Sequence, residues 1–218
     1  MKVSLTFDNG PDPDVTPQVL DTLGRHGVKA TFFLLGRNLA EPERRAIAVR
    51  AFNEGHRLGN HSYTHSVPFG LMEHPADAVK EILSTDELLG DLRGPERLFR
   101  PFGRAKLGPH LLTQPAWDVL VAHRYTCVLW TYVPPERDQP ESWMEPTVRS
   151  CEERLWSVIV MHDLPTGAMK QLHKFLQMLS DRGAEFSQEF PQQCTPLRRG
   201  IPVGDYRSLM PGLTRQAP

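Results

Sequence analysis

Ser4-Leu5-Thr6-Phe7-Asp8-Asn9-Gly10-Pro11 reads as a strand that runs into a corner. β-prone residues lead up to Phe7, two polar side chains follow, and Gly10-Pro11 stops the strand. A strand that delivers Asp8 and Asn9 to a turn sets both at one end of a sheet, where α/β folds assemble their sites. Asp, Asn, Gly and Pro also favour turns for local reasons alone. The corner gains meaning from a second stretch, Gly59-Asn60-His61-Ser62-Tyr63-Thr64-His65, which supplies the imidazoles it lacks.

Between and beyond these stretches strand and helix alternate. Ala30-Thr31-Phe32-Phe33-Leu34-Leu35, ended by Gly36, is an apolar run suited to a strand buried on both faces. Helices are expected from 16 to 27 (capped by Asp14 or Thr16), and over 41–54, 74–92, 111–123, 143–155 and 169–182. Strands are expected over 57–60, 98–100, 125–130 and 157–161. Such alternation predicts parallel strands with right-handed crossovers. About seven units in 218 residues predict an α/β fold, a deformed (β/α) barrel in one domain. Asp8, His61, Arg100, Trp130 and His162 each fall just after an apolar run, at corresponding strand ends. From Ser187 the character changes: Pro191, Pro196, Pro202 and Pro211 interrupt any period. The expected division is a barrel over 1–186 and an irregular Pro-rich tail over 187–218, held by its own barrel or by pairing of two chains into a homodimer.

The formal net charge is −1, and Lys and Arg form no runs, which argues against nucleic-acid and membrane-surface binding. Cys127, Cys151 and Cys194 are odd in number and lack metal spacing, so they read as reduced thiols. Met1-Lys2-Val3-Ser4 enters a strand without an apolar leader, and no later run is long enough to span a bilayer. A cytoplasmic protein is the expectation, a trimmed exported one the alternative.

His61 and His65 are four apart, a spacing that on a helical turn or tight loop points both rings one way. Alone, such a pair is as ordinary as two solvent-facing histidines. With the strand-end residues it forms a pattern that resembles the polysaccharide deacetylase family (NodB homology, carbohydrate esterase family 4). Thr6-Phe7-Asp8-Asn9-Gly10-Pro11 resembles its first motif, TFDDGP, and Gly55 to His65 its second, GHxxGNHSxxH. Phe99-Arg100-Pro101-Phe102-Gly103 is similar to the third motif with one residue fewer, and Val158 to Asp163 is similar to the last. The resemblance covers roughly residues 1 to 185.

The resemblance implies hydrolysis of an N-acetyl group on an amino sugar, assisted by a divalent metal: Zn first, with Co, Ni or Mn as alternatives. His61, His65 and Asn9 would hold the metal, Asp8 would be the general base, Arg100 its partner, and His162 the acid for the leaving amine. Phe102 would offer its backbone N–H to the oxyanion, and Tyr63 and Trp130 are candidate sugar-stacking surfaces. Two departures stand out. Asn9 occupies the position of the family's third ligand, an aspartate; losing that carboxylate is expected to weaken the cation by several kcal/mol at an effective dielectric of about 20. The fourth motif is disturbed after Trp130: Val133 stands where an acid is expected, so the groups that tune Arg100 and His162 are unassigned, and Trp143 is the candidate for a pocket wall. Two other readings stay open. One is a hydrolase of cyclic imides or ureides, which would lack the histidine pair that this chain keeps. The other is a catalytically inactive carbohydrate-binding homologue, favoured by Asn9.

Overall fold

The computed structural model describes residues 1–212. Its centre is β1 (Lys2–Asp8), whose two faces are both buried but differ in chemistry. Val3, Leu5 and Phe7 enter an apolar cluster. Ser4, Thr6 and Asp8 alternate with them and are equally buried, as the two-residue period of a strand requires. That polar face is what the barrel uses to build a site.

β2 (Thr31–Leu34), β3 (Arg57–Asn60), β4 (Leu98–Phe99) and β5 (Thr126–Cys127) follow in parallel on one side of β1. On the other side β6 (Trp156–His162) pairs with β1 along its whole length, from Lys2↔Trp156 to Asp8↔His162. β7 (Glu185–Phe186) pairs with Lys2 and Val3. The parallel strands among the described residues thus number seven, in line with the about seven that the alternation predicts. The sheet curls until residues after β5 meet β6: Thr131 N–H donates to Val158 O at 3.0 Å, and Val160 N–H to Tyr132 O at 3.0 Å. β5 is short because the chain beyond it turns to this second partner.

The helices are α1 (Thr16–Arg25), α2 (Gly36–Leu39), α3 (Pro42–Asn53), α4 (Asp77–Leu89), α5 (Gln114–Ala122), α6 (Met144–Glu152) and α7 (Leu172–Asp181). α1 presents Val19, Leu20 and Leu23 inward, each fully buried and worth about 1.5–3 kcal/mol. Neither Asp14 nor Thr16 caps it. Asp12 Oδ1 instead braces the turn that leads into it, accepting from Asp14 N–H at 3.0 Å and Val15 N–H at 2.8 Å. Trp143 is fully buried against Phe175 in the apolar cluster and is not part of the lining of the site cavity.

The Pro-rich run expected to be an irregular tail carries its own structure as far as residue 212; residues 213–218 of that expectation lie outside the described residues. β8 (Leu197–Arg198) pairs antiparallel with β5, and β9 (Ile201–Pro202) folds back on it. Arg199 and Gly200 both have positive φ (50° and 81°), the pattern of a tight two-residue hairpin. Tyr206 stacks on Trp117 with ring centroids 4.2 Å apart, and Leu209 and Met210 are buried in the second apolar cluster. This segment packs on the chain's own barrel.

Candidate active site

The carboxyl ends of β1, β3, β4 and β6 open onto one cavity of about 980 Å³, lined by Asp8, Asn9, His61, His65, Phe102, Trp130 and His162 among others. Arg100 lies beneath it, wholly buried. It donates to Asp8 Oδ1 at 2.9 Å, to Thr6 Oγ1 at 2.6 Å, and to the carbonyls of Val128 and Leu129 at 3.2 and 3.3 Å. Its guanidinium carbon stands 4.1 Å from the Phe33 ring centroid. Burial pulls the Arg100 pKa down and Asp8 opposes it, so this cation depends on its full set of acceptors. Asp8 keeps Oδ2 clear of Arg100, 3.5 Å from His61 Nε2.

His61 follows β3, and its Nδ1–H donates to the Arg100 carbonyl at 2.8 Å. A carbonyl can only accept, so the proton sits on Nδ1 and Nε2 carries a lone pair. His65 reaches the same place by a tight loop, not a helix. Ser62 and His65 have φ of 68° and 54°, left-handed values that side-chain-bearing residues rarely take. The two rings lie 4.8 Å apart and tilted by 50°. The His65 ring lies against Phe102, with centroids 3.7 Å apart and planes tilted by 30°. Burial, then the charges of His61, His162 and Arg37, push the His65 pKa down to about 2. Burial lowers His61 as well. Neutral rings are the form that binds metal.

The loop's shape is held from α4. The Glu81 carboxylate accepts from Tyr63 N–H at 2.9 Å, Thr64 N–H at 2.8 Å and Thr64 Oγ1 at 2.9 Å. No sequence signal marked Glu81, since an acid on an exposed-looking helix face is the commonest of residues. Tyr63 itself lies outside the cavity; its side chain borders a separate groove beside α4. Trp130 lines the cavity and closes over Gly103, where an added Cβ would run into the indole.

The disturbed fourth motif is repaired by a residue three places on from Val133. Glu136 is fully buried, and its Oε1 accepts from His162 Nδ1 at 2.6 Å. That bond fixes the tautomer and leaves Nε2 as the ring nitrogen for the cavity. Glu136 stands in a turn that closes on Pro135, whose carbonyl accepts from Asp138 N–H at 3.1 Å and Gln139 N–H at 2.8 Å, a placement that motif spacing does not reveal.

Asn9 sits at the corner with φ 76°, a conformation Asn tolerates better than most residues. Its Oδ1 is buried and has no hydrogen-bond partner among the described residues. A buried acceptor left unpaired costs about 1–3 kcal/mol, which a cation would relieve. The orphaned amide oxygen and two neutral imidazoles fit a divalent ion, though no three His, Cys, Asp or Glu side chains among the described residues gather as a ligand set. Phe102 N–H makes no hydrogen bond among the described residues and is available to an oxyanion.

The chain is similar in sequence and fold to known proteins. A model of the polysaccharide deacetylase family matches residues 1–110. The chain is 33% identical over 196 residues to a peptidoglycan-N-acetylglucosamine deacetylase of Bacillus cereus, covering 85% of itself and 66% of that protein, just under two thirds. Among solved structures it is similar to a peptidoglycan N-acetylglucosamine deacetylase held with a substituted N-oxidanyl-benzamide, at a TM-score of 0.69, 30% identity and 85% coverage of each chain. A family 4 acetyl xylan esterase of Clostridium thermocellum, solved with a cobalt ion, is similar at a TM-score of 0.67 and 26% identity, covering 86% of this chain and 87% of that one.

Proposed function

The chain belongs to the polysaccharide deacetylase family, and from that premise we propose that it is a hydrolase removing an N-acetyl or similar acyl group from an amino sugar in a glycan. The observation that carries this reading is one cavity in which Asp8, gripped by Arg100, faces His61, with His162, held from behind by Glu136, lining the same space. A divalent cation, with His61, His65 and Asn9 as its holders, would supply Lewis acidity, polarising the acyl carbonyl and lowering the pKa of a water. Asp8 Oδ2 is the free carboxylate oxygen, placed to take that water's proton. Arg100 on Oδ1 fixes the carboxylate's orientation. Phe102 N–H is the backbone donor for negative charge developing on the carbonyl oxygen. His162 Nε2, with Nδ1 secured by Glu136, is placed to give the leaving nitrogen a proton.

Asn9 supplies an uncharged oxygen, so cation affinity is low at this site. The test is acetate release from N-acetylchitooligosaccharides with added Zn²⁺ or Co²⁺, comparing the protein with Asn9→Asp. Asn9→Asp is expected to reach half-maximal rate at a metal concentration at least tenfold lower, in line with a lost charge–charge contact of several kcal/mol before solvation. If neither form releases acetate while the sugar still binds, the inactive carbohydrate-binding reading favoured by Asn9 replaces the hydrolase.

A further inference from the structure

At the end of the barrel opposite the candidate active site, a pocket of about 490 Å³ opens where β4 and β5 begin. Arg97, His123, Arg124 and Arg199 line it, and no carboxylate does so among the described residues. Three separate segments deliver the arginines: the approach to β4, the turn between α5 and β5, and the β8–β9 hairpin. Bonds to Tyr125 and Thr126 hold these segments together. Thr126 N–H donates to Arg97 O at 2.7 Å, Arg199 N–H to Thr126 Oγ1 at 3.1 Å, and Gly200 N–H to Tyr125 O at 2.9 Å. Arg124 directly precedes that pair and takes φ 57°, as Arg199 takes φ 50°. The hairpin lies so close to the turn that a Cβ on Gly200 would meet the Val121 carbonyl and Arg124 Cα. The acids nearby are committed elsewhere. Glu96 accepts from Thr126 Oγ1 at 2.8 Å and pairs with Arg57 at 3.7 Å. Asp86 takes Arg93 at 2.6 Å and the Tyr125 hydroxyl at 2.5 Å, and reaches Arg97 only at 3.4 Å. Arg124 and Arg199 have no carboxylate partner among the described residues. The carboxyl end of α5 favours cations beside it, which accounts for His123 and Arg124. It does not account for Arg97 and Arg199, which arrive from other parts of the chain.

We propose that this pocket binds a phosphoryl group, as free phosphate or as the phosphate ester of a small molecule. The guanidinium fork matches phosphate oxygens in pairs. Arginines from three segments suit a tetrahedral dianion with three oxygens to share better than a planar carboxylate with two. A cleft lined by one sign of charge also raises the local concentration of the opposite one. The volume exceeds that of a bare phosphate and leaves room for the body of an ester. Bound there, the anion ties the β8–β9 hairpin to the starts of β4 and β5. The pocket stands apart from Asp8, His61 and His162, so it is independent of the amino-sugar reading.

The test is calorimetric titration of the full chain, in metal-free buffer at low ionic strength, with inorganic phosphate, glucose 6-phosphate, glucose and acetate. At least one of the two phosphates is expected to bind roughly tenfold more tightly than glucose or acetate. Tighter binding of glucose 6-phosphate assigns an ester, and equal or weaker binding than phosphate assigns the free anion. In the double variant Arg124→Gln, Arg199→Gln that affinity is expected to fall about tenfold or more. Hydrogen exchange at the Gly200 amide is expected to slow with phosphate in the parent protein and not in the double variant. Should the double variant fail to fold, Arg124→Lys carries the same comparison, because it keeps the charge and loses the fork. Absence of binding by both phosphates, equal binding of acetate, or an affinity that survives these substitutions overturns the proposal and leaves the deacetylase reading standing.

Discussion

At the scale of single residues the site is a set of positions whose free atoms are set by what the others occupy. His61 offers Nε2 because the Arg100 carbonyl takes Nδ1, and Asp8 offers Oδ2 because Arg100 takes Oδ1. His162 offers Nε2 because Glu136 takes Nδ1. Glu136 is the residue with the clearest single-site consequence. In the Asn9→Asp background, Glu136→Gln is expected to lower kcat for acetate release roughly 10- to 100-fold, the usual cost of losing an orienting partner, with KM little changed. Cation content, measured by metal analysis, is expected to stay the same, because Glu136 bonds the acid and none of the ligand positions. A fall in bound metal with kcat intact would reverse that assignment.

At the scale of elements, the connection between β3 and α4 opens on a strained turn at Ser62 and His65. Two side-chain-bearing residues in left-handed backbone cost on the order of 1–3 kcal/mol each, and they persist here because α4 holds the loop through Glu81. Asn60 contributes from the strand side: its Oδ1 accepts from Ser62 N–H at 3.0 Å while its amide donates to Ile82 O at 2.9 Å. Removing the carboxylate by Glu81→Ala leaves Tyr63 N–H and Thr64 N–H unpaired, so His65 loses its fixed place. The expected result in the Asn9→Asp background is a Co²⁺ affinity, read by visible absorption, reduced about tenfold or more, since bonds to a charged acceptor are worth about 1.5–3 kcal/mol. Glu81→Gln retains an acceptor oxygen and is expected to recover most of it. Unaltered Co²⁺ binding in Glu81→Ala would show that the loop keeps its shape without α4.

For the molecule as a whole, the buried ionisable groups pull stability in opposite directions with pH. Burial raises Asp163 to about 7, against the hydrogen bond from Thr16. Its folded value lies above the unfolded one, so its contribution is full below about 4 and is lost as pH rises through 7. Burial lowers His56 to about 4, and that contribution is full above 6.5 and lost as pH falls through 4. His61 and His65 act in the same direction as His56. Asp163→Asn deletes the one opposing group among these four. Relative to the parent protein, its urea midpoint is expected to improve between pH 5 and pH 8 by the equivalent of roughly 2 kcal/mol. A difference between the two proteins that is constant over that interval would mean Asp163 does not titrate as its burial dictates.

Much of this was legible along the chain. The strand ending in Asp8 and Asn9, the paired histidines, the parallel alternation and the positions of Arg100 and His162 follow from local chemistry: β-prone runs, turn residues and short spacings are properties of neighbouring residues. What escaped was whatever depends on residues distant in sequence. β8 and β9 are two residues long, too short for any period, and exist because β5 offers them an edge. Tyr63 sits between two site histidines, yet the left-handed turn at Ser62 carries it to another groove. Glu136 and Glu81 look like ordinary surface acids until folding brings one against His162 and the other against the histidine loop. The sequence alone determined which groups stand at the strand ends, because a strand's own residues place them there. Only the tertiary structure decided which atoms of those groups are free to react, because a lone pair is free only when no distant partner has already taken it.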